Sequence, residues 1–423
     1  MSVILPSSVN YSEVSSALPE NSSTISNVIS PSNGSTYSPN SIIQFDLPST
    51  SFLVPDSLSI RYTYTATTAV SSHLVGLPAL APFSRFETII GSQTIESIQN
   101  YNQVVTLLSN LSLSVSEKYG SQSSLGFKST NDATQVTLDE LDGRIMTENE
   151  VGSFSAPLPC MLSFSEKLVP LFALPSIRIQ MTVDSLTSMF SSGTGTVTPT
   201  NMVLSNLELC FRTVNLGSEV DQMVRDMGSK IFIKSQSFAN SAQFLPANTQ
   251  GQLSLVFNQR LASVKAAFIL GAGTDVTSVN KWGDSFALSN SCDYQLNIAS
   301  VAFPQRPLST IRNKAGILQE LRESVGSIYD RKNSLSINNV EFGRVCGDTS
   351  TEDQPAKFIC GINLEKLDSK NSLLTGISTA NSPITMILNT SVATSKNLNM
   401  HLILNYDVLM QIDPVMREVQ ILQ

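Results

Sequence analysis

The chain is 423 residues long, 41% hydrophobic and 14% charged, with a formal net charge of −8. The acidic balance excludes a global basic field that would gather nucleic acid or an anionic membrane surface, and the apolar share is too high for a disordered chain. Few charges and many Ser, Thr and Asn fit β-sandwiches with polar loops better than helical bundles, and the length suits about two to four domains.

Residues 1–40 are rich in Ser, Asn and Pro with weak periodicity, and read as an arm ordered by docking on its own or a neighbouring subunit. Val3-Ile4-Leu5 and Val28-Ile29 are its anchors. The N-terminus lacks the basic and apolar regions of a signal peptide, and no apolar run approaches the ~20 residues that span a bilayer, so a soluble chain made in the cytoplasm is expected. From Ser41 the texture changes. Ile42, Ile43, Phe45 and Leu47 form one strand, and Leu58, Ile60, Tyr62 and Tyr64 alternate with Ser59, Arg61 and Thr63 in a second.

Phe83–Leu111 is the most informative stretch. Phe86, Thr88 and Ile90 alternate with Glu87 and Ile89, Gly91-Ser92 turns the chain, and Gln93–Ile98 resumes an extended run. From Tyr101 the period changes to helical, with Val104, Leu107, Leu108 and Leu111 on one face. Ser112–Glu150 reads as polar loops. Pro157-Leu158-Pro159 and Leu168-Val169-Pro170-Leu171 then lead into the strictly alternating strand Ile177, Ile179, Met181, Val183, and Met202–Val214 is a further strand.

Val220, Met223, Val224 and Met227 predict a one-faced connector helix over 217–228, with Asp221 and Arg225 on its solvated side. The second half repeats the order of the first. Strands are predicted at Ile231–Phe238, Leu253–Phe257, Val264–Leu270, Tyr294–Val301, Pro383–Leu388 and Met400–Ile412, with a helix over Ala315–Val325 lined by Leu318, Leu321 and Val325. The chain therefore reads as all-β, with two similar sandwiches in tandem. The arm is 1–40, the first sandwich 41–217, the connector 218–229 and the second sandwich 230–423.

Little in the sequence speaks for chemistry. Phosphate-loop, His-Glu-x2-His and Cys-x2-Cys motifs are absent. Gly271-Ala272-Gly273 reads as a strand-end loop rather than a dinucleotide site. The two histidines, His73 and His401, are too few for a triad or a zinc cluster. Asp139, Glu140 and Asp142 read as a solvated acidic loop. Glu87 and Glu96, across the Gly turn, are the one arrangement that could pair two carboxylates as a glycosidase does, but the single Trp282 supplies no sugar platform. Cys160, Cys210, Cys292, Cys346 and Cys360 read as buried or free thiols of a reducing compartment. No catalytic, cofactor or metal residue is assigned, and no enzyme activity is expected. No basic residue precedes Arg61, so nucleic-acid binding is not expected unless Lys118, Lys128, Lys265 and Lys281 gather into a folded patch.

Two segments carry a resemblance. Ile90-Gly91-Ser92-Gln93-Thr94-Ile95-Glu96, followed by the helical stretch to Leu111, resembles the Ile-Gly-Gly-Gln-x-Ile-Asp/Glu signature of double jelly-roll major capsid proteins. Pro157-Leu158-Pro159 with Pro170-Leu171-Phe172-Ala173-Leu174 resembles the same family's Pro-Leu-Pro segment. Such proteins occur in Polinton-like viruses, virophages and large nucleocytoplasmic DNA viruses. The resemblance implies two tandem jelly rolls and pseudo-hexagonal homotrimers tiling an icosahedral shell around a DNA genome. It further implies a place in the virion beside neighbouring trimers, penton and minor capsid proteins. Ser92 departs from the second Gly of the signature. The alternative from another class is a carbohydrate- or receptor-binding β-sandwich of a spike or fibre.

Overall fold

The computed structural model describes residues 22–67, 72–127, 144–146, 150–191, 201–226, 230–274, 292–310, 312–329, 358–365, 374–394 and 397–422. In chain order the first half supplies β1 (Ser23–Ile29), β2 (Thr36–Tyr37), β3 (Ile42–Leu47), β4 (Phe52–Leu53), β5 (Ser59–Thr67), β6 (Ser72–Leu74), β7 (Phe83–Ile90) and β8 (Gln93–Gln99). Three helices follow, α1 (Tyr101–Ser112), α2 (Val115–Gly120) and α3 (Gln122–Leu125). Then come β9 (Arg144–Met146), β10 (Glu150–Pro157), β11 (Val169–Pro170), β12 (Ile177–Val183), α4 (Leu186–Met189), β13 (Phe190–Ser191) and β14 (Asn201–Asn215). After α5 (Ser218–Asp226), the second half supplies β15 (Ile231–Leu245), β16 (Gly251–Phe257), β17 (Val264–Gly273), β18 (Cys292–Ile298) and β19 (Val301–Ser309). It ends with α6 (Lys314–Tyr329), β20 (Cys360–Asn363), β21 (Ile384–Thr390), β22 (Leu398–Asp413) and β23 (Glu418–Leu422).

The first half builds one sheet in the order β10-β5-β14-β4-β11, with β1 and β2 also on β14. A second sheet runs β3-β12-β7-β8, and a small third one β13-β6-β9. The second half builds β15-β22-β17-β20, with β23 on β22, and a facing sheet β16-β21-β18-β19. Every pairing among these strands is antiparallel, as for example β5 with β14 and β15 with β22. Neighbours distant in sequence are the mark of jelly-roll and Greek-key sandwiches.

Alternation decides which way each strand faces. On β5, Ile60, Tyr62, Tyr64 and Ala66 are buried while Arg61 and Thr65 are exposed; on β12, Ile177, Ile179, Met181 and Val183 are buried. Aromatic rings knit the first core. Tyr64 stacks on Phe154 at 4.6 Å between centroids, and the Tyr62 hydroxyl donates to the Ala79 carbonyl at 2.8 Å. β17 is buried along its whole length and β22 along nearly all of it, because each lies mid-sheet with both faces covered. Gly271-Ala272-Gly273, expected as a strand-end loop, forms the last residues of β17 and pairs with Leu398–Met400 of β22.

Several expectations shift. From Ser23 onward the expected arm is a strand of its own sandwich: β1 pairs with β14 from Ser23 opposite Asn215 to Ile29 opposite Leu209. Ile29 packs against the core, Val28 is exposed, and Val3-Ile4-Leu5 lies outside the described residues. α1 is buried on all sides rather than on one. Its polar residues are bonded inside, Asn102 Nδ2 to Asp184 Oδ2 at 2.7 Å and the Thr106 hydroxyl to the Asn102 carbonyl at 2.7 Å. The connector docks through Val220 and Val224, whereas Met223 is exposed. Arg225, expected on the solvated side, is exposed and places its guanidinium 5.4 Å from the Phe172 ring centroid. On α6 the inward residues are Ile317, Leu321 and Val325, with Leu318 only half-buried. Gly361 lets that helix close on β20, since a Cβ there would lie 3.0 Å from the Leu321 Cα.

Candidate functional site: the junction between the two sandwiches

Both segments that carry the family resemblance converge where the sandwiches meet. The turn between β7 and β8 places its positive φ on Gly91, at 62°, while Ser92 takes none, so that position needs no glycine. The β7–β8 register shifts between Thr88 and Ile89, a bulge that leaves both Ile95 and Glu96 buried on β8.

Glu96 is 2% exposed. Its Oε2 accepts the Thr88 hydroxyl at 2.9 Å, and its Oε1 accepts the Met161 backbone N–H at 2.9 Å together with the hydroxyl of Ser237. Thr88 and Met161 belong to the first half of the chain and Ser237 to β15, so one carboxyl joins the two sandwiches. The Pro157–Leu162 run supplies the rest of the contact, with Leu158, Cys160, Met161 and Leu162 all fully buried.

β15 is an edge strand of its sheet, and unpaired strand edges invite pairing with other chains. Here the first sandwich covers it. Ser235 donates its hydroxyl to the Met161 carbonyl, and the Glu166 N–H donates to the Lys234 carbonyl at 3.0 Å. Phe164 and Phe238 meet edge to face at 5.8 Å. Lys234 lies 3.8 Å from Glu166 and 3.9 Å from the buried Asp407.

Burial pushes the Glu96 carboxyl up to about 7, although Ser237, Thr88 and Met161 each pull it down. Burial likewise pushes the Cys160 thiol up to about 12, with Glu96 adding to the rise.

The remaining singled-out residues do not form a reactive centre. Glu87 and Glu96 do not face each other: Glu87 stands opposite Ser97 and Glu96 opposite Thr88, so the two carboxyls leave opposite faces of the hairpin. Glu87 is instead held by Arg85 at 2.5 Å and Gln180 at 3.3 Å. His401 is buried on β22 with Nδ1 3.1 Å from Asn240 Oδ1, and burial pushes its ring down to about 4. His73 lies on β6. Lys118 is buried, its Nζ donating to Asn110 Oδ1 at 2.9 Å, and Lys265 is buried 3.8 Å from Glu365, so neither adds to an exposed basic patch. Asp139, Glu140, Asp142, Lys128, Lys281, Trp282 and Cys346 lie outside the described residues. Among the described residues no group of His, Cys, Asp and Glu could hold a metal, and no helix is long and apolar enough to cross a membrane.

Sequence reasoning missed Ser237 and Met161. Neither carries a motif; both are recruited by a contact between segments far apart in the chain.

Two antiparallel sandwiches in tandem, closed on each other through a buried seam, define a double jelly-roll protein. The solved structures it resembles include VP54 of PBCV-1, fitted into a reconstruction of the virophage Sputnik (12% identity, TM-score 0.61, 96% of this chain and 98% of that one). They also include the Faustovirus major capsid protein (9%, 0.64, 97% and 93%) and the mavirus major capsid protein (10%, 0.52, 100% and 95%). No protein-family profile and no curated protein sequence matches the chain.

Proposed function

We propose that this protein is a viral major capsid protein, a structural subunit without enzymatic activity. It builds pseudo-hexagonal homotrimers that tile the icosahedral shell of a DNA virus. The observation that carries this reading is the likeness of both sandwiches and their connection, over nearly the full length of each chain, to capsid subunits whose sequences have diverged almost completely. Two unlike sandwiches per subunit turn three-fold symmetry into a near six-fold outline, which suits hexagonal tiling. The first jelly roll runs from Ser23 to about 217 and α5 is the connector, with the second jelly roll from about 230 onward. Penton and minor capsid proteins are its partners in the virion, and synthesis takes place in the host cytoplasm.

Light scattering on the purified protein should report about three times 45.7 kDa, and negative stain should show hexagonal blocks or shells. A persistent monomer, a two-fold dimer, or elongated fibres would overturn the reading. The burial of Lys118 and Lys265 supports assembly through protein contacts rather than condensation of the genome by the subunit itself. Titration with DNA or RNA near physiological salt should give no binding tighter than about 10⁻⁵ M, the weak range of non-specific affinity.

A further inference from the structure

Glu96 sits where six groups from five parts of the fold meet. Thr88 comes from β7, Tyr101 from α1, Cys160 and Met161 from the run after β10, Ser237 from β15 and Tyr406 from β22. The ionisable ones, Tyr101, Cys160 and Tyr406, are all acids that burial pushes further up, so each is neutral over the range in which a carboxyl titrates. Among the described residues none of the groups that bear on the charge of Glu96 is a cation. Lys234, the cation of the seam, is an even-numbered residue of β15 directed to Asp407 and Glu166, whereas Ser235 and Ser237 leave the other face.

A buried carboxylate with no cation is costly, and three donors offset that cost only in part. The neutral acid fits the same pocket: its proton is donated to Thr88 or Ser237, whose hydroxyls turn from donor to acceptor. The geometry points to Glu96 as a proton-operated latch between the two sandwiches, shut as the neutral acid and loosened when it ionises. The raised value of the folded state, about 7 against an ordinary 4.5, sets the direction. Folded protein holds the proton more tightly than an opened junction does. Closure is therefore strongest below about pH 4.5 and weakens as pH rises through about 7. The latch acts within one subunit and does not depend on assembly into a shell.

Hydrogen exchange on the full-length protein tests it through two amides that belong to the seam, Met161 N–H (to Glu96) and Glu166 N–H (to the Lys234 carbonyl). After correction for intrinsic chemistry, the wild-type opening constant of both should rise roughly 30-fold between about pH 5.5 and pH 8. Amides of β18 and β21, within the second sandwich, should not follow. Glu96→Gln should flatten the rise to about threefold or less. Ser237→Ala, which loosens the seam but keeps the titrating group, should retain it. A wild-type series that is flat with pH, or a Glu96→Gln protein whose seam amides rise as the wild type's do, overturns the latch. If Glu96→Gln does not fold, the wild-type series decides alone.

Discussion

Acid should weaken the second sandwich through a single buried ring, His401. It lies on β22 between β15 and β17, opposite Ala242 and Leu270, and is 4% exposed. Among the described residues its ring meets Asn240 Oδ1, and burial pushes it down to about 4 from an ordinary 6.5. The sign follows from where the proton goes. Below about pH 6.5 the unfolded chain takes up a proton that the folded chain refuses until about pH 4, so acid favours unfolding. The full shift is worth about 3 kcal/mol, and about 2 kcal/mol of it is lost by pH 5 relative to pH 8. Glu96 titrates over an overlapping window with the opposite sign, so the wild type alone is an ambiguous reporter. The difference between wild type and a variant isolates the ring. His401→Asn keeps an N–H near the Nδ1 position for Asn240 and removes the titration, though it leaves a cavity that lowers stability at every pH. Urea unfolding followed by circular dichroism should show the stability of the wild type relative to His401→Asn constant above about pH 7.5. It should then fall by about 2 kcal/mol toward pH 5. A difference independent of pH, or a folded-state His401 that titrates near 6.5 when its ring-proton exchange is followed by mass spectrometry, would refute the reasoning.

Other outcomes follow from particular contacts. Gly361→Ala places a Cβ 2.7 Å from Leu321 Cδ1 and 3.0 Å from its Cα, so α6 must lift from β20, at a cost of about 1–3 kcal/mol read in a thermal melt. Phe238→Ala empties the side of the seam facing Phe164 and should cost about 3–5 kcal/mol in chemical unfolding. Arg225→Ala removes an exposed cation from the Phe172 face and should cost about 0.5–1 kcal/mol, with no change in oligomeric state by light scattering. Cys160 and Cys292 are free and buried, with thiols pushed up to about 12, so alkylation at pH 8 should label them only after denaturation.

Strand direction was legible wherever one face meets water. The alternation in β5 and β12, and the change of period at Tyr101, located these elements closely. Legibility failed where both faces are covered. β17 and α1 bury polar and small residues all round because a second layer closes over them, and no local pattern announces that layer. Spacing alone allows Glu87 and Glu96 to face each other across the Gly turn. A bulge at Ile95 and a register that sets Glu96 opposite Thr88 placed the two on opposite faces. The site itself was half-visible. The signature ending in Glu96 and the Pro-Leu-Pro run were both readable, but their common purpose depends on Ser237, which lies 141 residues from Glu96 along the chain.

Among the described residues, every strand of the first three sheets precedes residue 216, and every strand of the other two follows residue 230. A ribosome therefore releases all of the first sandwich's strands before any of the second, and N-terminal domains generally fold first during synthesis. A chain made only as far as residue 230 contains Thr88 and Met161 but not yet Ser237 and Tyr406, which belong to β15 and β22. The carboxyl that joins the two sandwiches is therefore complete only once β15 has been made, so the first sandwich must wait for the second before their seam can close.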